Sequence, residues 1–197
     1  MPFQKKPTAG PRSAGKPPSE SRLRQAALLH LSRYATTEAG LARVLADRMR
    51  RWAHAAQAEG REVEAELAAG LAAASSIAAT MVSAGAVNDA DYAAARARRL
   101  ARGGSSRRAM AAHLAGKGIA GDDAQAAMAG APAEAEAALA LCRKRRIGPF
   151  ARAAPDAALR LKWLGMLARA GFGRDVAVAA LGTDADEAEE RLIALKS

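Results

Sequence analysis

The sequence has little from which a thick hydrophobic core could be built. Of its 197 residues only seven are Phe, Tyr or Trp, whereas alanine contributes 56. Because alanine buries little apolar area, each one adds little stability at roughly 25 cal/mol per Å². Val and Ile are scarce and do not alternate, which argues against a sheet. Alanine is the best helix former, so the composition predicts an all-α protein with many thin helix–helix contacts.

The sequence also has a single cysteine and no long run of large apolar residues. One cysteine, Cys142, excludes an internal disulfide and is typical of a reducing compartment. It follows Leu139 and Leu141, which predicts a buried, inert thiol. Residues 67–87 are mainly alanine, serine and glycine, and the N-terminus lacks the apolar segment of a secretion signal. We therefore expect a cytoplasmic protein that binds no membrane.

Residue patterns for catalysis, metals and cofactors are missing as well. His30, His54 and His113 have no cysteine or acid at metal-ligand spacing, and no phosphate-binding loop occurs. Asp89 and Asp91 lie two residues apart at a predicted helix start. A carboxylate at this position is stabilised by the free N–H groups of the first turn, and these two do not converge on a substrate. The sequence predicts no catalytic residues, no metal and no cofactor, and hence a protein that is not an enzyme.

Positive charge is what the sequence has in excess. The net charge of +10 predicts an anionic partner, either DNA or an acidic protein surface. Residues 1–24 hold six Lys or Arg and one acid, a net +5, so half of the excess lies near the N-terminus. Residues 1–20 contain five prolines and no apolar periodicity, which predicts a disordered basic arm.

Two segments of the chain resemble each other at an offset of 53 residues. In both, a helix is predicted to end at a glycine that can adopt positive φ, Gly118 or Gly171. An apolar residue, Ile119 or Phe172, then packs back over the turn. The segments are 105–128 and 158–181.

A more diverged copy is expected near the N-terminus, because Thr36 and Thr37 precede helically spaced leucines as Ser105 and Ser106 precede Met110 and Leu114. We predict three helical repeats in tandem, each too small to fold alone. They are a lengthened first repeat at 21–87, a second at 88–131, and a third with a C-terminal helix at 132–197.

Basic residues concentrate near predicted helix ends. Arg98 and Arg102 point away from the apolar face of their predicted helix, Arg99 lies at its margin, and the stem of Arg96 follows apolar surface. Such charge complements the helix dipole, but the four consecutive cations at 143–146 repel one another, and an anionic partner would offset that repulsion. The predicted partner- or DNA-binding residues are Arg96, Arg98, Arg99, Arg102, Lys117, Arg143, Lys144, Arg145, Arg146 and Arg169.

Three motifs in this order resemble the RecX family of regulatory proteins, which act on the RecA recombinase. The stretch "GAVNDADYAAARARR" is similar to the family's Gly, aliphatic, Asn/Asp and aromatic–Ala series, "HLAGKGI" to its Leu-x-x-Lys-Gly-Ile, and "LARAGF" to its Leu-x-x-x-Gly-Phe. The resemblance covers about residues 23–182. We interpret the matching positions as structural: Asn88, Asp89, Tyr92, Ala93, Gly118, Ile119, Gly171 and Phe172.

The resemblance implies three tandem three-helix units in a curved, elongated molecule that lies along the groove of the RecA–DNA filament. It implies inhibition of recombinase and coprotease activity, and with it modulation of DNA repair and the SOS response. We expect a monomer that contacts RecA and, weakly, DNA through its basic clusters. The first repeat departs from the family pattern at 50–78, where the chain is longer than a compact turn.

A stand-alone helical DNA-binding protein of the helix-turn-helix type is the alternative. It would explain the charge and would bind duplex DNA without RecA. It would not explain the threefold repeat.

Overall fold

Ten α-helices and one short 3-10 turn account for the regular structure of residues 13–195, the part of the chain that a computed structural model describes. No strand occurs within this part, so the predicted all-α class is confirmed. The helices are α1 (Glu20–Leu31), α2 (Glu38–Ala58), α3 (Glu64–Ser83), α4 (Asp89–Arg102), α5 (Arg107–Ala115), α6 (Gly121–Ala129), α7 (Glu134–Arg145), α8 (Ala157–Arg169), α9 (Arg174–Gly182) and α10 (Ala185–Ala194), with the 3-10 turn at Gly148–Phe150.

The chain divides into two compact units between Val87 and Asn88. Unit 1 contains α1 to α3, and unit 2 contains α4 to α10. The segments predicted as second and third repeats thus lie in one compact unit. The division of the chain into three repeats stays a prediction.

Unit 1 is built on the long helix α2, whose buried face includes Leu41, Leu45 and Met49. This face packs on α1 and α3, where Leu23 and Ile77 are also buried. The Thr37 hydroxyl caps α2 by accepting a hydrogen bond from the Gly40 amide at 3.0 Å. Small residues along α3 allow the close approach of α2 and α3 that a thin, alanine-rich core requires.

The start of the described chain packs against unit 1. The Ala14 amide donates to the Glu59 carboxylate at 2.6 Å, and the Gly15 carbonyl accepts from Trp52 Nε1 at 3.3 Å and from the Arg61 guanidinium at 2.7 Å. Ala14 and Gly15 of the predicted arm thus have partners on α2 and the turn after it, and the extent of the disordered arm stays a prediction. Residues 1–12 lie outside the described residues.

Helix α3 is long and apolar enough, by length and composition, to cross a membrane. It is the one such helix among the described residues, and a single one is weak evidence for a span. One face, which includes Gly70 and Ile77, is buried against the other helices of unit 1. The opposite face exposes alanine, serine and threonine.

In unit 2, α4 packs on α6 and α7, and α7 and α8 pack on α9. Met110, Leu114, Leu139 and Leu167 are among its buried side chains. The last helix, α10, is attached to α7 by an ion pair between Arg191 and Glu136, at 2.6 Å. The core is continuous through the unit, which is why the segments predicted as separate repeats do not separate here.

Helix ends in unit 2 repeat one hydrogen-bonded turn. The Ile119 amide donates to the Leu114 carbonyl at 3.0 Å, and the Phe172 amide donates to the Leu167 carbonyl at 3.1 Å. The residue before each donor is a glycine with positive φ, +85° at Gly118 and +96° at Gly171. Both predicted glycine turns are confirmed.

A third turn of the same type closes α7, without glycine. The Ile147 amide donates to the Cys142 carbonyl at 3.0 Å, and the residue between them in the left-handed position is Arg146, with φ of +55°. It is the one non-glycine residue with positive φ in the described part of the chain. This conformation costs an L-residue roughly 1 kcal/mol or more relative to glycine.

Candidate partner-binding surface

The motif at the start of α4 caps the helix. The Asn88 side-chain oxygen Oδ1 accepts from the Asp91 amide at 3.1 Å, and its side-chain nitrogen Nδ2 donates to the Asp91 carboxylate at 2.8 Å. Asp89 is the first helical residue, Tyr92 packs against the core, and Ala93 is fully buried. These positions are those of a helix cap and its adjoining core, and the interpretation of the motif residues as structural stays a prediction.

The other predicted structural and inert residues lie in the interior. Ile119 and Phe172 are buried in the unit 2 core. Cys142 is buried and unpaired, and burial raises the pKa of its thiol to about 11, so the predicted inert cysteine is confirmed. In the part of the chain described here, no group of three His, Cys, Asp or Glu side chains is arranged to hold a metal ion.

The end of α4 presents unpaired cations. Arg98, Arg99 and Arg102 are exposed, and their side chains make no hydrogen bond or ion pair to any described residue. Their guanidinium groups therefore keep all of their donors for water or a partner.

Arg96, two turns from the end of α4, has a partner inside the unit. Its Nε donates to His113 Nε2 on α5 at 2.8 Å, in a half-buried position. Burial lowers the pKa of His113, and the nearby positive charges of Arg96 and Lys117 lower this pKa further. The structure therefore assigns Arg96 a contact between helices, and its role in partner binding stays a prediction.

The four consecutive cations at the end of α7, residues 143–146, also include both paired and unpaired side chains. Arg143 lies 3.8 Å from Glu189 on α10, a distance typical of a weak ion pair. Lys144, Arg145 and Arg146 are exposed and have no such partner within residues 13–195. Three of the four consecutive cations therefore have side chains that are available to bind an anion.

The tertiary structure brings the ends of α4, α7 and α8 together around one turn, residues 103–106. A Cβ at Gly104 (φ +84°) would lie 2.8 Å from the Leu141 nitrogen on α7, so these backbones touch. The Ser106 hydroxyl donates to the Ala170 carbonyl at the end of α8, at 2.8 Å, and Arg145 borders a small cavity that Leu141 and Ala170 also line. We name the exposed, unpaired cations at these three helix ends the convergent basic cluster: Arg98, Arg99, Arg102, Lys144, Arg145, Arg146 and Arg169.

Lys117 lies apart from this cluster. It follows the C-terminal end of α5, whereas the turn at 103–106 precedes the N-terminal end of the same helix. Nine helical residues separate the two ends, which corresponds to about 13 Å. Of the ten predicted binding residues, the structure thus gathers seven and leaves Arg96, Lys117 and Arg143 outside.

The charge of the cluster exceeds what the helix ends need. Each helix C-terminus carries roughly half a negative charge, so three ends offer about 1.5 charges to seven cations. The surplus favours binding of an anion, and guanidinium groups can hold phosphate or carboxylate oxygens in pairs.

Two residues that hold the cluster together were not foreseen. The Ser106 hydroxyl caps α5 by accepting from the Ala109 amide at 3.2 Å, and it also donates to the Ala170 carbonyl, 64 positions away. Arg107, in the same basic stretch, donates to the Met128 carbonyl at 3.2 Å. Only the long-range packing of α5 on α8 and α6 distinguishes these residues from their neighbours.

The fold and this cluster define an all-α, helical-repeat protein with an exposed cluster of unpaired cations. Comparison with known proteins gives the family. A family model described as "RecX, second three-helix domain" matches residues 88–128, from the start of α4 into α6. Regulatory protein RecX of Myxococcus xanthus is 35% identical over 178 residues, which cover 88% of this chain and 90% of that protein.

A second relative, regulatory protein RecX of Agrobacterium fabrum, is 34% identical over 107 residues. This match covers 54% of the chain and 58% of the length of the relative. The chain belongs to the RecX family.

Proposed function

We propose that this protein is a non-enzymatic regulator that binds the RecA–DNA filament, restrains its recombinase and coprotease activities, and so modulates DNA repair and the SOS response. Membership of a family of regulatory proteins supports the regulatory role, and the family name points to RecA as the partner. The protein would act in the cytoplasm as a monomer.

The observation that carries the proposal is the meeting of three helix ends with seven unpaired cations. A nucleoprotein filament offers phosphates and protein carboxylates at many repeated positions, and both are ligands for guanidinium groups. The cations stand on helices that share one core with Ser106 and Leu141, so they are held by rigid elements.

A regulator bound across neighbouring RecA protomers would act by blocking extension or by promoting disassembly. Blocking leaves existing filaments intact and stops growth, whereas disassembly shortens filaments that are already complete. Adding the protein before or after filament assembly therefore separates the two mechanisms.

The decisive measurement is the single-strand-DNA-dependent ATP hydrolysis of RecA from the same organism as this chain is titrated in. We expect hydrolysis to fall at a substoichiometric amount of protein. Unchanged hydrolysis at saturating protein would overturn the proposal. Unchanged hydrolysis together with duplex binding in a gel-shift assay would instead support the stand-alone DNA-binding protein.

A matched pair of variants tests the convergent basic cluster. Arg102→Gln/Arg169→Gln removes two cations at two of the helix ends and should raise the half-inhibiting concentration at least about tenfold. Arg160→Gln/Lys162→Gln removes the same charge from the other half of α8 and should leave inhibition within about twofold of the wild type. Equal losses would mean that inhibition depends on net charge and not on the cluster.

A further inference from the structure

Unit 1 has a second basic surface, which the RecA proposal does not use. A groove runs between α1 and α2, formed by two adjoining cavities of about 290 and 210 Å³ that share Ala26, Leu29 and Arg48. We name it the α1–α2 groove. Its lining contains four arginines and, among the described residues, no acid: Arg22, Arg33, Arg48 and Arg51.

The four groove arginines differ from Arg24 and Arg50 on the same helices in having no ion-pair partner. Arg24, two positions from Arg22 on α1, pairs with Glu20 at 3.1 Å, and Arg50 on α2 pairs with Asp47 at 2.7 Å. The groove arginines are exposed, and their guanidinium groups have no hydrogen bond or ion pair with any residue in 13–195. On these helices Arg24 and Arg50, outside the groove, are therefore balanced by an acid, whereas the four arginines that line the groove are not.

The floor of the groove is apolar and open to solvent. Leu29 is 55% exposed, Tyr34 60% and Val44 38%, and these residues are three of the large apolar side chains that the chain leaves outside its core. The Tyr34 ring packs at a tilt on His30, with centroids 5.3 Å apart. Exposed apolar side chains framed by Arg and Tyr are typical of protein-binding surfaces.

We infer that the α1–α2 groove binds an acidic amphipathic helix of a protein partner. The apolar stripe of such a helix would cover Leu29, Val44 and Tyr34, while its carboxylates would meet the groove arginines on the rim. This one ligand accounts for both features of the groove. Its carboxylates would pair with the arginines of the rim, which has no anion, and its apolar stripe would shield the exposed floor from water.

Single-stranded nucleic acid fits the groove less well. Such sites stack successive bases on several aromatic faces, whereas this groove offers Tyr34, whose ring already contacts His30. Aliphatic side chains such as Leu29 and Val44 gain more from the leucines of a helix than from a sugar–phosphate backbone.

The test uses the full chain and fluorescently labelled probes, with neither RecA nor a filament present. The first probe is a synthetic peptide about 15 residues long with leucine at i, i+3, i+4 and i+7 and glutamate elsewhere. The second is a scrambled peptide of the same composition, and the third is an oligo(dT) of similar length. We expect the amphipathic peptide to bind at least about tenfold more tightly than either of the others.

Two charge-matched variants locate the binding. Arg48→Glu/Arg51→Glu should weaken amphipathic-peptide binding at least about tenfold, whereas Arg24→Glu/Arg50→Glu should change it by less than about twofold. Leu29→Asp should weaken binding as well, because it places a carboxylate on the apolar floor. Circular dichroism of each variant verifies that the fold is kept.

Three outcomes would overturn the inference. Equal affinity for the scrambled peptide would mean that charge alone is recognised, tighter binding of oligo(dT) would assign the groove to nucleic acid, and equal losses in the two double variants would place the binding elsewhere. Because RecA is absent, none of these outcomes bears on the proposed filament binding. Failure of the hydrolysis assay would likewise leave the groove untouched.

Discussion

The two units place unpaired arginines in opposite surroundings. In unit 2 they stand at helix ends where the adjacent apolar residues, such as Ile147 and Phe172, are buried. In unit 1 they line a groove whose apolar residues, such as Leu29, are exposed. On the proposals made above, unit 2 would bind a ligand recognised by charge, and unit 1 a ligand recognised by charge and apolar contact together.

The units also close their helices differently. Unit 1 has two helices of 21 and 20 residues, and its Gly60 and Gly85, although at positive φ, have no atom within 4 Å of an added Cβ. Unit 2 uses helices of 9 to 14 residues, and its Gly104 and Gly171 are in close contact with other elements. Gly60 and Gly85 therefore leave room for a side chain, whereas Gly104 and Gly171 do not, and this difference can be measured.

The largest contrast is expected between alanine substitutions at Gly171 and Gly85. Gly171→Ala combines positive φ with a Cβ that would lie 2.5 Å from the Ser106 hydroxyl, so it should cost unit 2 about 3 kcal/mol. Gly85→Ala has the backbone strain alone and should cost unit 1 about 1 kcal/mol. Urea unfolding followed by Trp163 fluorescence for unit 2 and Trp52 fluorescence for unit 1 measures both, and similar losses would refute the contrast.

The next effect compares the buried hydroxyl caps Ser106 and Thr37. Ser106→Ala removes the α5 cap and the bond to the Ala170 carbonyl, so it should destabilise unit 2 by about 2 kcal/mol. Thr37→Ala removes the cap of α2 and should cost unit 1 about 1 kcal/mol. Thermal melting of both variants provides the comparison. If Ser106→Ala costs no more than Thr37→Ala, the bond to α8 contributes nothing measurable.

A smaller effect, of opposite sign, is expected at Arg146. Arg146→Gly relieves the left-handed backbone and should stabilise unit 2 by about 1 kcal/mol while weakening inhibition of RecA, since a cluster cation is lost. The adjacent Arg145→Gly, in regular helix, removes the same charge and should destabilise unit 2 by about 1 kcal/mol. Chemical denaturation distinguishes the two, and a stability loss at both positions would show that the αL conformation of Arg146 carries no strain.

The smallest effect concerns pH. Because the pKa of His113 is lowered in the folded unit, the unfolded chain takes up the proton first as the pH falls through about 6.5. Unit 2 should therefore be more stable above this pH and lose stability below it until the folded imidazole is protonated too. His113→Gln should reduce the change in urea midpoint between about pH 7.5 and about pH 5.5. The same change in wild type and variant would mean that other groups cause it.

Much of the local structure could be predicted from residues near one another in sequence. Asn88, Thr37 and Ser106 cap helices because their short polar side chains reach the amide three residues on. Gly118 and Gly171 close helices because they tolerate positive φ. The turn at the end of α7 was not predicted, because Arg146 and not a glycine occupies its left-handed position.

For the candidate binding surface, only the position of the basic stretches could be predicted. The basic clusters at 95–108 and 142–152 could be located from charge, but the sequence does not show which of their cations are engaged. Arg96 bonds to His113 and Arg143 faces Glu189, at separations of 17 and 46 positions, whereas Arg102 and Arg145 remain free. Such pairings depend on how helices distant in sequence lie against one another, and helical periodicity gives no measure of that.

The sequence by itself determined that the chain is all-α, where some of its helices begin or end, that its surface is basic, and which family its motifs resemble. These properties follow from propensities, caps and charges that act over a few residues. Only the tertiary structure decided that the ends of α4, α7 and α8 meet at one turn, and that unit 1 leaves a groove with unbalanced arginines. Both depend on close packing between distant segments, as at Gly104 against Leu141, where the absence of one methyl group lets two backbones touch.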